Sequence, residues 1–249
     1  MSLYAAEKWE APDKKYIGHR DGLTRNMSRY RFALARGARG RCLDIGCGRG
    51  YGFDHLRGPC NPCTGLDVAP GLIAEAKQNY PDVTFVTQSA EALPFPDASF
   101  DTVTSFEVIE HVQDDRAFLR EIHRVAAPGA LICISTPNRL VASGDRETPL
   151  NHFHVREYLG EEYRALLAPI FSAVEIYGQT DSPPGRVSQP GLGSKFINLL
   201  PVRIKYLLPH YVQDFFSVLL RPPLKPEDCT FTKDLFTGTH SFLAVCRKE

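Results

Sequence analysis

Between residues 41 and 137 the chain alternates short apolar, β-branched runs with stretches of helical period. The runs at 41–46, 63–68, 83–88, 101–106 and 130–136 predict strands, and Gly50–Arg57, Gly71–Tyr80 and Asp114–Ala126 predict the helices between them. The last of these places Phe118, Leu119, Ile122 and Val125 on one face before the stop signal Pro128-Gly129. Strand and helix alternating in this way predict βαβ units winding a parallel sheet, with helices on both faces. Crossovers in such sheets are right-handed, so a ligand should gather at the carboxyl ends of the strands.

An Arg-rich polar helix is expected over 20–37, ahead of the first strand. After Pro137 comes a polar loop with Ser143-Gly144-Asp145, then a helix over Val155–Leu167. Val174–Tyr177 and Phe242–Cys246 read as two closing strands, which brings the expected sheet to seven. The stretch between them, about 185–238, holds Pro201 and Pro209 within an apolar and basic segment, and reads as an inserted cap over the substrate. The apolar residues Phe196, Ile197, Leu199, Leu200, Ile204, Leu207 and Leu208 fit the packing of a cap helix better than contact with a membrane.

At 249 residues the chain is expected to form one domain over 1–249. Its 29 basic and 29 acidic residues cancel, so no global field draws it to nucleic acid or to an anionic membrane. Residues 1 to 20 carry six charged side chains between Glu7 and Lys15, without the apolar core of a signal peptide, and no apolar run reaches spanning length. A cytoplasmic protein without stable membrane insertion is expected. Seven cysteines are an odd number, and Cys42, Cys133 and Cys246 sit in apolar runs, which argues against a disulfide framework. Cys60-x-x-Cys63 lacks a second pair to complete a metal site, and reads as a loop entering a strand.

The run Leu43-Asp44-Ile45-Gly46-Cys47-Gly48-Arg49-Gly50 joins the first strand to the first helix, where glycine lets the backbone approach a ligand closely. A dinucleotide fingerprint would need glycine at 51, and Tyr51 stands there instead. Asp44 would repel a pyrophosphate and favours a cationic ligand, ammonium or sulfonium. Asp67, at the end of the second strand, is placed to accept from both hydroxyls of a ribose. Ser89-Ala90-Glu91 follows the third strand, where Glu91 or a nearby backbone group could receive an adenine amine; a simple helix cap fits equally.

These segments, with Ala92 to Asp101, Arg124 to Gly129 and Ser135-Thr136-Pro137-Asn138, form an ordered set that resembles the motifs of class I S-adenosylmethionine-dependent methyltransferases from about residue 29 to 179. The resemblance implies a Rossmann-like α/β fold. It also implies S-adenosylmethionine as cofactor, with Gly46 and Gly48 in the loop, Gly46 holding the methionine amino group, Asp67 the ribose, and Ala90 and Glu91 around the adenine. Phe106 would begin the segment beside the methyl group, and Arg29, of the pair Arg29-Tyr30, would meet the cofactor carboxylate.

Methyl transfer is an in-line displacement, accelerated by positioning, and a hydroxyl acceptor must also lose its proton. His111, His152 and His154 are the candidate bases. Glu107-x-x-Glu110-His111 with a downstream histidine also resembles the metal ligands of small-RNA 2′-O-methyltransferases and ubiquinone-pathway O-methyltransferases. That likeness implies magnesium or a similar divalent ion held by Glu107, Glu110, His111 and His152, although either His152 or His154 matches the spacing. The strings Ser135 to Arg139 and Asn151 to Glu157 look most like bacterial methyltransferases of surface-glycan or natural-product assembly. The expected acceptor is a hydroxyl on a small molecule, sugar or natural product. A prenylated phenol is the alternative, and a methyltransferase-like module that binds without turnover is the non-catalytic one. A homodimer through the cap is the assembly this reading leaves open.

Overall fold

The structure is a computed structural model describing residues 18–181, 225–233, 235 and 239–249. The described residues fall into two compact units, one holding 29–180 and those of 231–249, the other holding those of 18–28 with 181 and 225–230. Of the expected cap, residues 185–224 lie outside the described residues, and so does any dimer contact they would make.

The elements run α1 (Gly18–Ala35), β1 (Gly40–Ile45), α2 (Phe53–Leu56), β2 (Cys60–Asp67), α3 (Pro70–Asn79), β3 (Thr84–Thr87) and β4 (Phe100–Phe106). They continue α4 (Asp115–Val125), β5 (Ala126–Pro137), α5 (Arg139–Ala142), α6 (Gly160–Leu167), β6 (Ala173–Thr180), β7 (Thr230–Thr232) and β8 (Ser241–Arg247). The strands form one sheet in the order β3-β2-β1-β4-β5-β8-β6-β7. β1 pairs in parallel with both β2 and β4, while β8 runs antiparallel between β5 and β6. The order reverses at β1, so the loops after β1 and β4 open side by side, where a doubly wound sheet binds its ligand.

This is the expected Rossmann-like sheet with one strand more than the seven predicted. The eighth is β7, a three-residue Thr-Phe-Thr strand inside the segment read as cap, too short to leave a hydrophobic pattern. Two other elements differ. Cys60 and Cys63 lie on β2 itself, both buried, so that pair belongs to the sheet and not to a loop before it. α6 begins at Gly160 and not at Val155, because the Val155 N–H is taken by the Glu110 carbonyl at 2.7 Å, and Glu162 caps the helix by accepting from the Leu159 N–H at 2.9 Å. Residues 154–158 therefore stay outside the helix, with a bend at Val155 and Tyr158 bridging to Asn138.

Two apolar clusters cover the sheet. One is built on Leu43, Ile45, Val103, Ile132 and Ile134 with Phe118, Leu119, Ile122 and Val125 of α4. The other gathers Tyr30, Phe53, Phe85, Phe106 and Leu243 with Cys42, Cys60 and Cys63. All seven cysteines are reduced and buried. Among the described residues no helix is long and apolar enough to cross a membrane.

Candidate functional site

A cavity of about 620 Å³ opens at the carboxyl ends of β1, β2, β3 and β4. One wall is Gly46, Leu66, Asp67, Val68, Gln88, Ser89, Ala90 and Glu91. Facing it are Glu107, Val108, His111, Val112 and Gln113 from beyond β4, and His152, Phe153, His154 and Val155 from the loop after α5.

The glycine loop is folded back on β2: the Gly46 and Cys47 N–H groups both donate to the Leu66 carbonyl, at 2.7 and 3.1 Å. Gly46 adopts φ +74°, and a Cβ there would stand 2.3 Å from Val108 Cγ2. Both facts require glycine, and both leave the backbone bare at the cavity wall. Asp67 ties the loop to its strand by accepting from the Gly48 N–H at 2.8 Å and the Ala69 N–H at 2.9 Å. Burial raises its carboxyl above the usual range, against the lowering effect of those backbone donors.

Asp44 stands behind this wall. It is fully buried and accepts from Tyr30 Oη at 2.9 Å and Thr104 Oγ1 at 2.7 Å. Burial pushes its carboxyl up to about 7 in spite of the two hydroxyls. Arg29 is likewise buried, donating to Gln179 Oε1 at 2.8 Å and Ser241 Oγ at 3.1 Å and pairing with Glu107 Oε1 at 3.1 Å. Phe106 packs edge-on against Tyr30, ring centroids 4.8 Å apart. Asp44, Arg29 and Phe106 do not line the cavity themselves; of the three, Arg29 pairs with a lining residue, Glu107. Glu91 does line it, but its Oε1 accepts from the Gln113 and Asp114 N–H groups, each at 2.8 Å, and so secures the entry to α4.

Past β4 the chain turns through Glu107, which has φ +57°. Its conformation is held from β5: Ser135 Oγ donates to Glu107 Oε1 at 2.8 Å, while the Glu107 N–H donates to the Ser135 carbonyl at 3.3 Å. The turn delivers Glu110 inward and His111 to the cavity. Glu110 is fully buried; Thr136 Oγ1 donates to its Oε2 at 3.3 Å, whereas Oε1 has no hydrogen-bond partner. Burial first, and Glu107 next, raise its carboxyl well above the usual range.

His111 Nδ1 lies 2.8 Å from the Phe153 carbonyl. A carbonyl only accepts, so Nδ1 carries the proton and Nε2 presents its lone pair. Burial lowers the His111 pKa, and neighbouring His154 adds to this against the raising effect of the Phe153 carbonyl. The ring is therefore neutral at pH 7. His154 stands edge-on to His111 with centroids 4.9 Å apart, and its Nδ1 is 2.6 Å from Glu157 Oε1. Glu110, His111 and His154 each offer a ligand atom, all within 4.8 Å of one another. Glu107, committed to Arg29 and Ser135, and the exposed His152 stand outside that group, although both line the cavity. Glu157 escaped the sequence reading; its only signal is the three-residue spacing from His154.

Residues 43–134, which run from β1 to within β5, match the family described as methyltransferase domain. Over these residues the chain resembles a class I methyltransferase. A Mycolicibacterium smegmatis protein named as a probable S-adenosylmethionine-dependent methyltransferase is 42% identical over 135 residues, covering 54% of this chain and 52% of that protein. The 2-methyl-6-phytyl-1,4-hydroquinone methyltransferase of a Synechocystis strain is 32% identical over 157 residues, 58% of this chain and 46% of its own length. The chain thus spans about half the length of the curated relatives it matches. The structure of an S-adenosylmethionine-dependent methyltransferase from Archaeoglobus fulgidus superposes with a TM-score of 0.59 at 17% identity, over 99% of this chain and 100% of that one. The class I fold therefore extends beyond the matched residues.

Proposed function

We propose that the chain transfers a methyl group from S-adenosylmethionine to a hydroxyl of a small molecule or glycan. The observation that carries this reading is the pairing, across one cavity, of a bare glycine backbone and the Asp67 carboxylate with a neutral histidine whose lone pair is unprotonated. The donor set suits the cofactor: no side chain at Gly46 fills the approach to the loop, Asp67 can accept from ribose hydroxyls, and Gln88 and Ser89 offer polar atoms to a base. When bound, S-adenosylmethionine supplies an electrophilic methyl carbon. The chain contributes position, with Val108, Val112 and Phe153 as apolar lining, and Glu107 and His111 in the same wall. His111 Nε2 accepts the hydroxyl proton as the oxygen attacks.

Calorimetry with S-adenosylmethionine is the first test, and absence of binding would overturn the reading. Binding with no turnover across hydroxyl acceptors would favour a non-catalytic module. With an acceptor in hand, His111→Ala is expected to lower kcat by about 10²–10⁴-fold while cofactor affinity holds. The wild-type rate should rise with pH through a value below the ordinary histidine pKa.

Two finer readings have support of their own. A prenylated phenol as acceptor is favoured by Leu140, Val141, Leu150, Phe153 and Val155, large apolar side chains exposed within one short stretch that also supplies the cavity wall. The phytyl hydroquinone named for the Synechocystis relative is of the same class. A divalent ion is favoured by the partnerless Glu110 Oε1 beside two imidazoles. Glu110, His111 and His154 would hold it, and it would lower the pKa of an acceptor hydroxyl. Activity that survives full chelation would remove the ion from the mechanism.

A further inference from the structure

Glu157 takes no part in the chemistry described so far, yet it is buried at one end of a hydrogen-bonded chain that reaches the cavity. Glu157 Oε1 lies 2.6 Å from His154 Nδ1, and His154 Nε2 lies 2.9 Å from Asn151 Nδ2. Asn151 Oδ1 accepts from the Phe153 N–H at 3.1 Å, and the Phe153 carbonyl accepts from His111 Nδ1 at 2.8 Å. Elementary valence fixes every proton along this path. A carboxylate only accepts, so His154 donates from Nδ1 and is left with a lone pair on Nε2. The Asn151 oxygen is occupied by a backbone N–H, so its amide nitrogen faces His154 and donates there. The Phe153 carbonyl in turn forces the proton of His111 onto Nδ1.

We propose that Glu157 is the positioning residue of the site: it fixes the tautomer of His154 and, through Asn151 and the backbone on either side of Phe153, that of His111. With the anchor in place, His154 Nε2 accepts from Asn151 Nδ2, and the proton of His111 sits on Nδ1 toward the Phe153 carbonyl. Without it, His154 is free to protonate Nε2; the Asn151 amide must then rotate to accept, and the Phe153 N–H loses its partner. The loop residue whose carbonyl orients His111 then lacks the Asn151 side chain that ties its N–H. A buried carboxylate oriented on one imidazole nitrogen so that the other can take a proton is the arrangement of acid-base triads. Here the anchor acts on two rings. Its Oε2 has no hydrogen-bond partner in its buried setting, so the single bond to His154 is what the carboxylate is held for. The role of these tautomers in turnover rests on the methyl transfer proposed above, whereas the tautomers themselves can be read with neither cofactor nor acceptor.

The test is ¹⁵N imidazole spectroscopy of the full chain, above the pH at which its histidines titrate. In the wild type, His154 and His111 should both carry the proton on Nδ1. Glu157→Ala should move the His154 proton to Nε2 and leave His111 as a mixture. Glu157→Gln keeps an acceptor oxygen and should preserve both rings. Asn151→Ala, at an exposed position, should leave His154 as it is while releasing His111. A wild-type His154 protonated on Nε2 would overturn the proposal, as would a folded Glu157→Ala with both rings unchanged. If Glu157→Ala does not melt cooperatively, the wild type and Asn151→Ala decide alone, and an Asn151→Ala spectrum identical to wild type at His111 counts against the chain. Failure to bind S-adenosylmethionine would sink the methyl transfer and leave these tautomers standing, so the two ideas fail separately.

Discussion

Replacing Gly46 by Ala imposes two separable penalties on the loop that forms the cavity wall. The first is conformational: φ is +74°, and an L-residue in the left-handed region costs about 1–2 kcal/mol. The second is steric, since the new Cβ would lie 2.3 Å from Val108 Cγ2 in a half-buried setting; overpacking of this kind costs about 1–3 kcal/mol. The two together come to about 2–5 kcal/mol, a large share of the roughly 5–15 kcal/mol that holds a domain folded. Gly48 is the internal control. It too has positive φ, +52°, but a Cβ there meets nothing within 4 Å, so Gly48→Ala carries only the conformational part. Urea unfolding of both variants isolates the clash as their difference, expected at about 1–3 kcal/mol. Val108→Ala removes the colliding methyl, so the double variant Gly46→Ala/Val108→Ala should recover most of that difference relative to the sum of its single changes. A Gly46→Ala protein as stable as Gly48→Ala, or a double variant that is simply additive, would refute the claim that this contact demands glycine.

The Asp44 carboxyl titrates at about 7 in the fold and near 3.9 in an unfolded chain, so between those values the folded state holds a proton that the unfolded state has released. Wild-type stability relative to Asp44→Asn should therefore fall as pH rises from about 4 to about 7, by on the order of 4 kcal/mol, and a difference that is flat with pH would contradict the burial argument. Glu91→Ala removes the acceptor of two N–H groups ahead of α4, and should cost about 1–3 kcal/mol by chemical denaturation, with α4 amides losing hydrogen-exchange protection first. Phe118→Ala empties the centre of the apolar cluster under α4 and should cost about 3–5 kcal/mol; a loss below about 1 kcal/mol would mean that the cluster collapses into the space.

The fold was legible because its signals are local. The inner strands β1, β4 and β5 are buried over most of their length, and α4 announces itself by Phe118, Leu119, Ile122 and Val125 in register. The misreadings came where tertiary bonds overrode local pattern. Val155 to Leu159 have helical spacing, but a backbone bond from Val155 to Glu110 takes up the N–H and the segment stays non-helical. Cys60-x-x-Cys63 has the look of a turn motif, yet β1 pairs with it in parallel, Cys42 against Cys63. β7 has three residues, too few for any period to declare itself.

The site divides along the same line, and the division has a physical cause. The wall at Gly46 is backbone geometry, and geometry that only glycine tolerates leaves a mark in sequence. Placing Asp44 among cofactor contacts followed from charge alone, whereas the fold sets it behind the loop, where Tyr30 and Thr104 occupy both of its oxygens. Acceptor chemistry is made of side chains that meet only in the fold. Val155 N–H to Glu110 carbonyl, a bond between two segments far apart in sequence, brings His154 against His111 and hides Glu157 beneath them. The methyltransferase match ends at residue 134, so it covers Gly46, Asp67 and His111 but neither His154 nor Glu157. On the methyl transfer proposed above, specificity for an acceptor would change through the 151–157 loop while the strand ends around Gly46 and Asp67 stay fixed, which is the separation of scaffold and function expected of this class of fold.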